Sequence, residues 1–372
     1  MGMKGTVLIS GGGTGGHIMP GIALYEEFKS QGYNPILLVG TDDVKFSSLN
    51  TVENVQTYNA PTMWKNIFNL PAFTIRFIVA LTWTMRFITK NDVAAVIGMG
   101  GYVSAPSLVA ALLKKIPVYL CEQNVVPGMV TSFFAKRAKA IFTTFEATAA
   151  YFDIEMAHSI IHVGNPLRKH VLKQVEKEAA LKRFNMMHCK KVILVIGGSQ
   201  GALKLNELMY DMLTQFPESF TDTGIIWSTG TYSYEQFKEK LQNVTHRASI
   251  FLAPYILDVE NSYAACDIAI SRAGAGVLME LAAWGVPALL IPYPYAAKDH
   301  QKKNALEFVK AGAAELVENS EAKAQNVAPV LFDLLDNETL LARMSAKAKS
   351  LARINAAQDI VNFIAKDCEL KK

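Results

Sequence analysis

Twice in this sequence a run of apolar residues stops abruptly in a glycine loop. Val7-Leu8-Ile9-Ser10 leads into Gly11 to His17, and Val192 to Ile196 leads into Gly197-Gly198-Ser199-Gln200-Gly201-Ala202. A chain uses glycine where backbone amides must approach a ligand with no Cβ in the way, and a helix opened by such a loop turns its amide end toward negative charge. The chemistry this suits is the holding of a phosphate or a sugar. The first loop fits G-x-G-x-x-G through Gly11, Gly13 and Gly16, and Asp42 and Asp43 follow the next apolar run, a pattern that by itself also suits a nicotinamide dinucleotide. Close packing of a strand on a helix requires the same glycines, so the first loop alone leaves these readings open.

A third segment is more specific. Ser271-Arg272-Ala273-Gly274-Ala275-Gly276-Val277-Leu278-Met279-Glu280 follows the apolar run Ile268–Ile270. The amides of Ala275, Gly276 and Val277 at a helix start suit a diphosphate, and Glu280, just over a turn further on, suits the two hydroxyls of a ribose. A lone helix glutamate is more often simply solvated. The small-residue loop before it is what favours binding.

Elements that could position these residues alternate along the chain. Thr6–Ser10, Ile36–Val39, Ala94–Ile97, Val118–Cys121 and Ile141–Thr143 read as strands separated by helical patterns, and Val192–Ile196, Gly224–Trp227, Ile250–Leu252, Ile268–Ile270 and Ala288–Ile291 form a second such series. Alternation of this kind predicts parallel sheets with helices on both faces. The expected fold class is α/β: two doubly wound Rossmann-like domains facing across a cleft, with ligands at the carboxyl ends of the strands. The expected boundaries are residues 1–165 for the first domain, 166–340 for the second, and a helical segment, 341–372, able to pack back on the first.

Composition narrows the function. The 372 residues suit two domains, and 51% hydrophobic with 19% charged residues describes a folded chain. The net charge of +4, from 37 basic and 33 acidic residues, is too even for a dedicated nucleic-acid binder, so no nucleic-acid partner is expected. Four scattered cysteines, Cys121, Cys189, Cys266 and Cys368, make no C-x-x-C pair, which suits a reducing cytoplasm. The residues before Thr6 lack the charged and apolar regions of a signal peptide, so export is not expected. No Asp-x-Asp triplet is available for a divalent ion on a diphosphate, and Asp153-x-Glu155 lies away from the loops. The expectation is that no cofactor is required, a divalent ion being at most stimulatory.

From Thr62 to Lys90 no acidic residue occurs. Lys65, Arg76, Arg86 and Lys90 are spaced among Trp64, Phe68, Phe73, Phe77, Ile78, Leu81, Trp83 and Phe87. Pro71 and the two arginines interrupt the run before it reaches the roughly 18 to 20 uncharged residues of a bilayer span. The composition instead suits a helix lying in the headgroup region beside anionic lipid.

Seven segments together resemble the MurG family, the UDP-N-acetylglucosamine:lipid-linked N-acetylmuramyl-pentapeptide N-acetylglucosaminyltransferases of peptidoglycan synthesis. They are GGTGGH at 12–17, GMGGYVS at 98–104, EQN at 122–124, GNPLR at 164–168, GGSQGA at 197–202, SRAGAGVLMEL at 271–281 and DHQKKNA at 299–305. Cys121, Ser271 and Lys298 depart from the family's usual residues. The resemblance implies a GT-B fold and an inverting transfer making a β-1,4 link, on the path to cell wall, cell shape and division. It implies that Thr14, Gly15, Gly16, Tyr102, Asn124, Arg168, Ser199, Gln200, Ile256, Ala275, Gly276, Val277, Leu278, Met279, Glu280 and Gln301 contact substrate. Its partners would be UDP-N-acetylglucosamine, an undecaprenyl-linked acceptor, the cytoplasmic face of the inner membrane and, as a family expectation, a cell-wall assembly complex. An inverting transfer needs a base for the acceptor hydroxyl. His17, ending the first loop, is the leading candidate because an imidazole accepts a proton near neutral pH, and Glu122 is the second. A UDP-sugar epimerase of the same fold, another glycolipid transferase of that fold, a nicotinamide oxidoreductase and a non-catalytic adaptor are the competing readings.

Overall fold

The computed structural model describes residues 5–61, 70–198 and 201–371. The chain divides into two units: the first takes in residues up to Lys169 and again from Arg353, and the second runs from His170 to Ala352.

The first unit carries seven parallel strands: β1 (Thr6–Ser10), β2 (Asn34–Gly40), β3 (Val55–Tyr58), β4 (Val93–Gly98), β5 (Val118–Glu122), β6 (Ala140–Thr143) and β7 (Ile160–His162). Their spatial order is β3-β2-β1-β4-β5-β6-β7. Side chains alternate between two buried layers, as period-2 geometry requires of a sheet covered on both faces. Val7 and Ile9 enter one cluster with Leu37, Ile97 and Phe28. Leu8 enters the other with Leu38, Val96, Leu108 and Leu120. The helix Gly15–Ser30 supplies Phe28 to the first layer, and the helix Ala105–Leu113 supplies Leu108 to the second.

The second unit repeats the plan with β8 (Lys191–Ile196), β9 (Thr223–Ser228), β10 (Ser249–Ala253), β11 (Ile268–Ser271), β12 (Ala288–Leu290) and β13 (Ala314–Leu316), in the order β10-β9-β8-β11-β12-β13. Trp227, Phe220, Phe237 and Leu331 are fully buried in its core.

The helical end of the chain is divided at a different place from the one expected. The helix Glu338–Leu351 lies in the second unit, with Leu341 and Met344 in that unit's core. The helix Ala356–Asp367 belongs to the first unit, where Ile360, Val361 and Ile364 complete a core layer. The hydroxyl of Tyr119 donates to Asp367 Oδ2 at 2.5 Å and fixes the end of that helix to β5. The helical character of this end is legible in the sequence, but the unit on which each helix packs is not.

The helix Leu70–Lys90 is split by its packing. In its second half Ala80, Thr84 and Ile88 are buried, Trp83 stacks on Tyr58 with ring centroids 5.6 Å apart, and Leu81, Trp83 and Phe87 pack against the core. A segment expected to lie on lipid, with part of it serving the core, thus gives these three residues to the core. In the first half Ile75, Ile78 and Val79 are 63%, 53% and 59% exposed, with Arg76 among them. Contrary to expectation, the stretch Pro71–Lys90 is long and apolar enough to cross a membrane by length and composition, with a mean hydropathy of 1.3 and 17% of that window buried. Trp64, Lys65 and Phe68 lie outside the described residues.

Candidate active site

In each sheet the strand order reverses once, and the chemistry-bearing loops leave the strands that flank the reversal. In the first unit these strands are β1 and β4, followed by Gly11 to His17 and by Met99 to Ser104. In the second they are β8 and β11, followed by the loops that begin at Gly197 and Arg272. Such switch points leave a crevice at the carboxyl ends of the strands where ligands bind.

His17 lies in the first turn of the helix Gly15–Ser30. Its Nδ1 is 3.0 Å from the carbonyl oxygen of Gly12 and 3.3 Å from Thr14 Oγ1. A carbonyl oxygen only accepts, so Nδ1 carries a proton, and in the neutral form of the ring the lone pair is at Nε2. Gly100 and Gly101, from the β4 loop, flank the ring in left-handed conformations, with φ of +99° and +74°. A Cβ on Gly100 would stand 3.0 Å from Nε2, and one on Gly101 would stand 2.7 Å from Gly12 O. Glycine at position 100 keeps a side chain off Nε2, and glycine at position 101 leaves room for the Gly12 carbonyl that Nδ1 bonds. Thr14 and Gly16 are exposed and Gly15 half-buried in the same turn, so the expected contacts Thr14, Gly15 and Gly16 cluster with His17.

Asp43 has a different task from the dinucleotide role its position suggested. Its buried carboxylate accepts the amide of Gly13 at 2.8 Å and that of Gly40 at 3.0 Å, pinning the first loop to the end of β2. A Cβ on Gly12 would collide with Asp43 Oδ2, so the carboxylate and the glycine require each other.

Glu122, at the end of β5, is 4% exposed. Its Oε1 accepts the amide of Asn124 at 3.0 Å and its Oε2 that of Gly128 at 3.0 Å. Both oxygens are thus engaged by backbone amides of the loop that presents Asn124, and Glu122 holds that loop's geometry. Tyr102, half-buried in the β4 loop, donates to Met129 Sδ at 3.9 Å. Arg168 is half-exposed near the end of the first unit's opening stretch.

In the second unit the helix Ala275–Trp284 begins at Gly274, which has no side chain to cap its first amides. A Cβ on Gly274 or Gly276 would meet nothing within 4 Å. Packing therefore does not demand these glycines, and the space beside the amides of Ala275, Gly276 and Val277 stands open. Leu278 and Met279 point into the core, and Glu280 is half-buried with Oε2 accepting from the hydroxyl of Tyr263 at 2.6 Å. Arg272 is buried beneath this loop. Its guanidinium donates to the carbonyls of Ile291 and Pro292 at 2.9 and 3.0 Å and to Asn319 Oδ1 at 2.8 Å, and burial holds its pKa below the usual arginine range. Arg272 thereby ties the loop to the segment that carries Gln301, whose Oε1 accepts the amide of Tyr293 at 2.9 Å. Ile256 is buried just beyond β10, and Ser199 and Gln200 lie outside the described residues.

The roles of Asp43, Arg272 and Tyr263 escaped the sequence reading. Each acts on a neighbour distant in sequence, and no spacing rule signals that. A cavity of about 580 Å³ walled by Lys191, Tyr263, Trp284 and Glu338 opens at the amino ends of the second sheet's strands, the end opposite the glycine loops. Among the described residues no group of three His, Cys, Asp or Glu side chains could hold a metal ion.

Two Rossmann-like units, each with a glycine loop at its switch point, are the plan of the GT-B class, and the family matches place the chain among its glycosyltransferases. The N-terminal domain of glycosyltransferase family 28 matches residues 7–143, and the C-terminal domain of that family matches residues 192–362. The chain belongs to the family of the UDP-N-acetylglucosamine--N-acetylmuramyl-(pentapeptide) pyrophosphoryl-undecaprenol N-acetylglucosamine transferases. It is 35% identical to the one from Christiangramia forsetii over 370 residues, with 97% of each chain covered. It is 33% identical to that of Bacteroides thetaiotaomicron over 375 residues, with 98% of each covered. The crystal structure of MurG from Acinetobacter baumannii superposes with a TM-score of 0.76 at 29% identity, covering 97% of this chain and 99% of that one. A UDP-GlcNAc 2-epimerase from Neisseria meningitidis, solved with UDP-GlcNAc bound, has a TM-score of 0.68 at 15% identity, covers 98% of this chain and 100% of that one, and shares the fold alone.

Proposed function

We propose that this protein transfers N-acetylglucosamine from UDP-N-acetylglucosamine to the C4 hydroxyl of an undecaprenyl-linked N-acetylmuramyl-pentapeptide, with inversion, in peptidoglycan synthesis. The observation that carries the reading is the bond of His17 Nδ1 to the Gly12 carbonyl, which leaves Nε2 as the ring's accepting nitrogen on the side where position 100 carries no side chain.

In the step itself the acceptor oxygen forms a bond to the anomeric carbon as the bond from that carbon to the diphosphate breaks. The hydroxyl proton passes to His17 Nε2, and UDP leaves with the bonding electron pair. Its added charge falls on the amides of Ala275, Gly276 and Val277, and fixed dipoles of this kind stabilise a leaving group without reorganising. On the second unit Glu280 holds the ribose and Gln301 the diphosphate, and the chemistry needs no resident metal.

The exposed apolar start of the helix Leu70–Lys90, carrying Arg76 and no acidic residue, supports peripheral attachment to the cytoplasmic face of the membrane. The other half is committed to the domain core, which favours a helix lying on the bilayer over one crossing it. Attachment there would keep the first unit beside an acceptor whose lipid holds its sugar at the surface.

The test is transfer of radiolabelled N-acetylglucosamine to a lipid-linked acceptor, with and without a chelator, and assignment of the new anomeric linkage. A β-linked lipid product, undiminished by chelator, is expected. Conversion of UDP-N-acetylglucosamine to a different UDP-sugar with no acceptor present would overturn the reading in favour of an epimerase.

A further inference from the structure

We propose that Tyr263 is a positioning residue for the donor: its buried hydroxyl holds the Glu280 carboxylate in the rotamer that receives the ribose hydroxyls. The proposal rests on the reading of Glu280 as the ribose acceptor.

Tyr263 lies on the helix Val259–Ala265, is 2% exposed, and packs near Trp284 with ring centroids 6.5 Å apart. Any buried tyrosine must give its hydroxyl an acceptor. What distinguishes this one is the acceptor it has. Glu280 Oε2, 2.6 Å away, belongs to a half-buried carboxylate one turn inside the helix whose open amide end suits a diphosphate. A glutamate on a helix surface normally samples several rotamers, and ordering it on ligand arrival costs side-chain entropy. A short charge-assisted bond from a rigid core residue holds it before the ligand arrives. A carboxylate can accept about four hydrogen bonds, so the phenol takes one while the ribose needs two. The phenol also draws electron density from the carboxylate without neutralising it, as a lysine at that place would.

The experiment is Tyr263→Phe, which keeps the ring and removes only the hydroxyl. UDP and 2′-deoxy-UDP binding are measured by calorimetry, donor KM and kcat by transfer assay, and the thermal midpoint as a control. The expected result is UDP binding weaker by about 3- to 10-fold with a matching rise in donor KM, little change in kcat, and a smaller loss for 2′-deoxy-UDP, so that discrimination between the two nucleotides narrows. In a Glu280→Ala background the same substitution is expected to leave UDP binding unchanged. Equal weakening of both nucleotides, or none, would overturn the proposal, because a merely structural tyrosine has no reason to sense the 2′-hydroxyl. If Glu280→Ala itself leaves UDP affinity intact, the ribose reading fails, an outcome separate from failure of Tyr263 alone. Should Tyr263→Phe not fold, 3-fluorotyrosine at position 263 changes only the donor strength of the hydroxyl. A shifted UDP dissociation constant then supports the proposal and an unshifted one refutes it.

Discussion

Glu122 reaches across its own loop to accept the amide of Gly128 at 3.0 Å, while its other oxygen accepts that of Asn124. A buried carboxylate spent in this way maintains loop geometry. Glu122→Gln replaces one acceptor with a donor facing a backbone N–H, and the expected cost is about 1–3 kcal/mol in unfolding free energy, read by urea denaturation. Activity is expected to fall chiefly through acceptor KM. A variant with native stability and no turnover would instead return Glu122 to the role of base.

His17→Ala is expected to lower turnover by about 100-fold or more while leaving UDP affinity within error, since the imidazole acts on the acceptor's proton. Because His17 is half-exposed and its one strong bond is to a loop carbonyl, stability should change little. Turnover within a few-fold of wild type would remove His17 from the chemistry.

The exposed start of the helix Leu70–Lys90 predicts membrane affinity that can be removed without unfolding the domain. Ile75→Ser, Ile78→Ser and Val79→Ser together alter residues that are all more than half exposed. Sedimentation with vesicles containing anionic lipid should capture the wild type, more at low salt than at high, and leave most of the triple variant in solution. Equal capture of both proteins would exclude this surface.

His162 provides a pH dependence. Burial is the main cause that holds its pKa below the ordinary imidazole range; Arg353 adds to the effect, and Nε2 donates to the carbonyl of Thr144 at 3.1 Å. The unfolded chain therefore binds a proton at this residue more readily than the folded one. Its contribution to stability is full above the unfolded value, about 6.5, and declines as pH falls below it. His162→Gln keeps a neutral donor, and its thermal midpoint should drop less than that of the wild type between neutral and mildly acidic pH. Parallel curves for the two proteins would show that the residue does not titrate on unfolding.

The strands found in the sequence were those with continuous apolar runs, such as Val192 to Ile196, because a strand buried on both faces admits little else. The three that escaped, Val55–Tyr58, Ile160–His162 and Ala314–Leu316, all lie at sheet edges, where one neighbour suffices and polar residues are tolerated. At the site, glycine loops and His17 were legible because backbone exposure has few chemical solutions. Asp43 was visible as a residue but misleading as a motif, for a carboxylate after the second strand serves a ribose in one fold and a loop amide in this one. Tyr263 left no trace, since nothing local distinguishes a core tyrosine that supports a binding residue from one that fills space.

The return of the chain to its first unit sets an order of events during biosynthesis. Ile360, Val361 and Ile364 fill a layer shared with Val7, Ile9 and Phe28, yet they are translated only after the whole of the second unit has been made. The second unit is continuous in sequence and can close its core while still attached to the ribosome. The first must wait with that core layer incomplete, so the unit built from both ends of the chain is the later to mature, and a nascent chain halted after Lys169 would expose apolar surface that chaperones recognise.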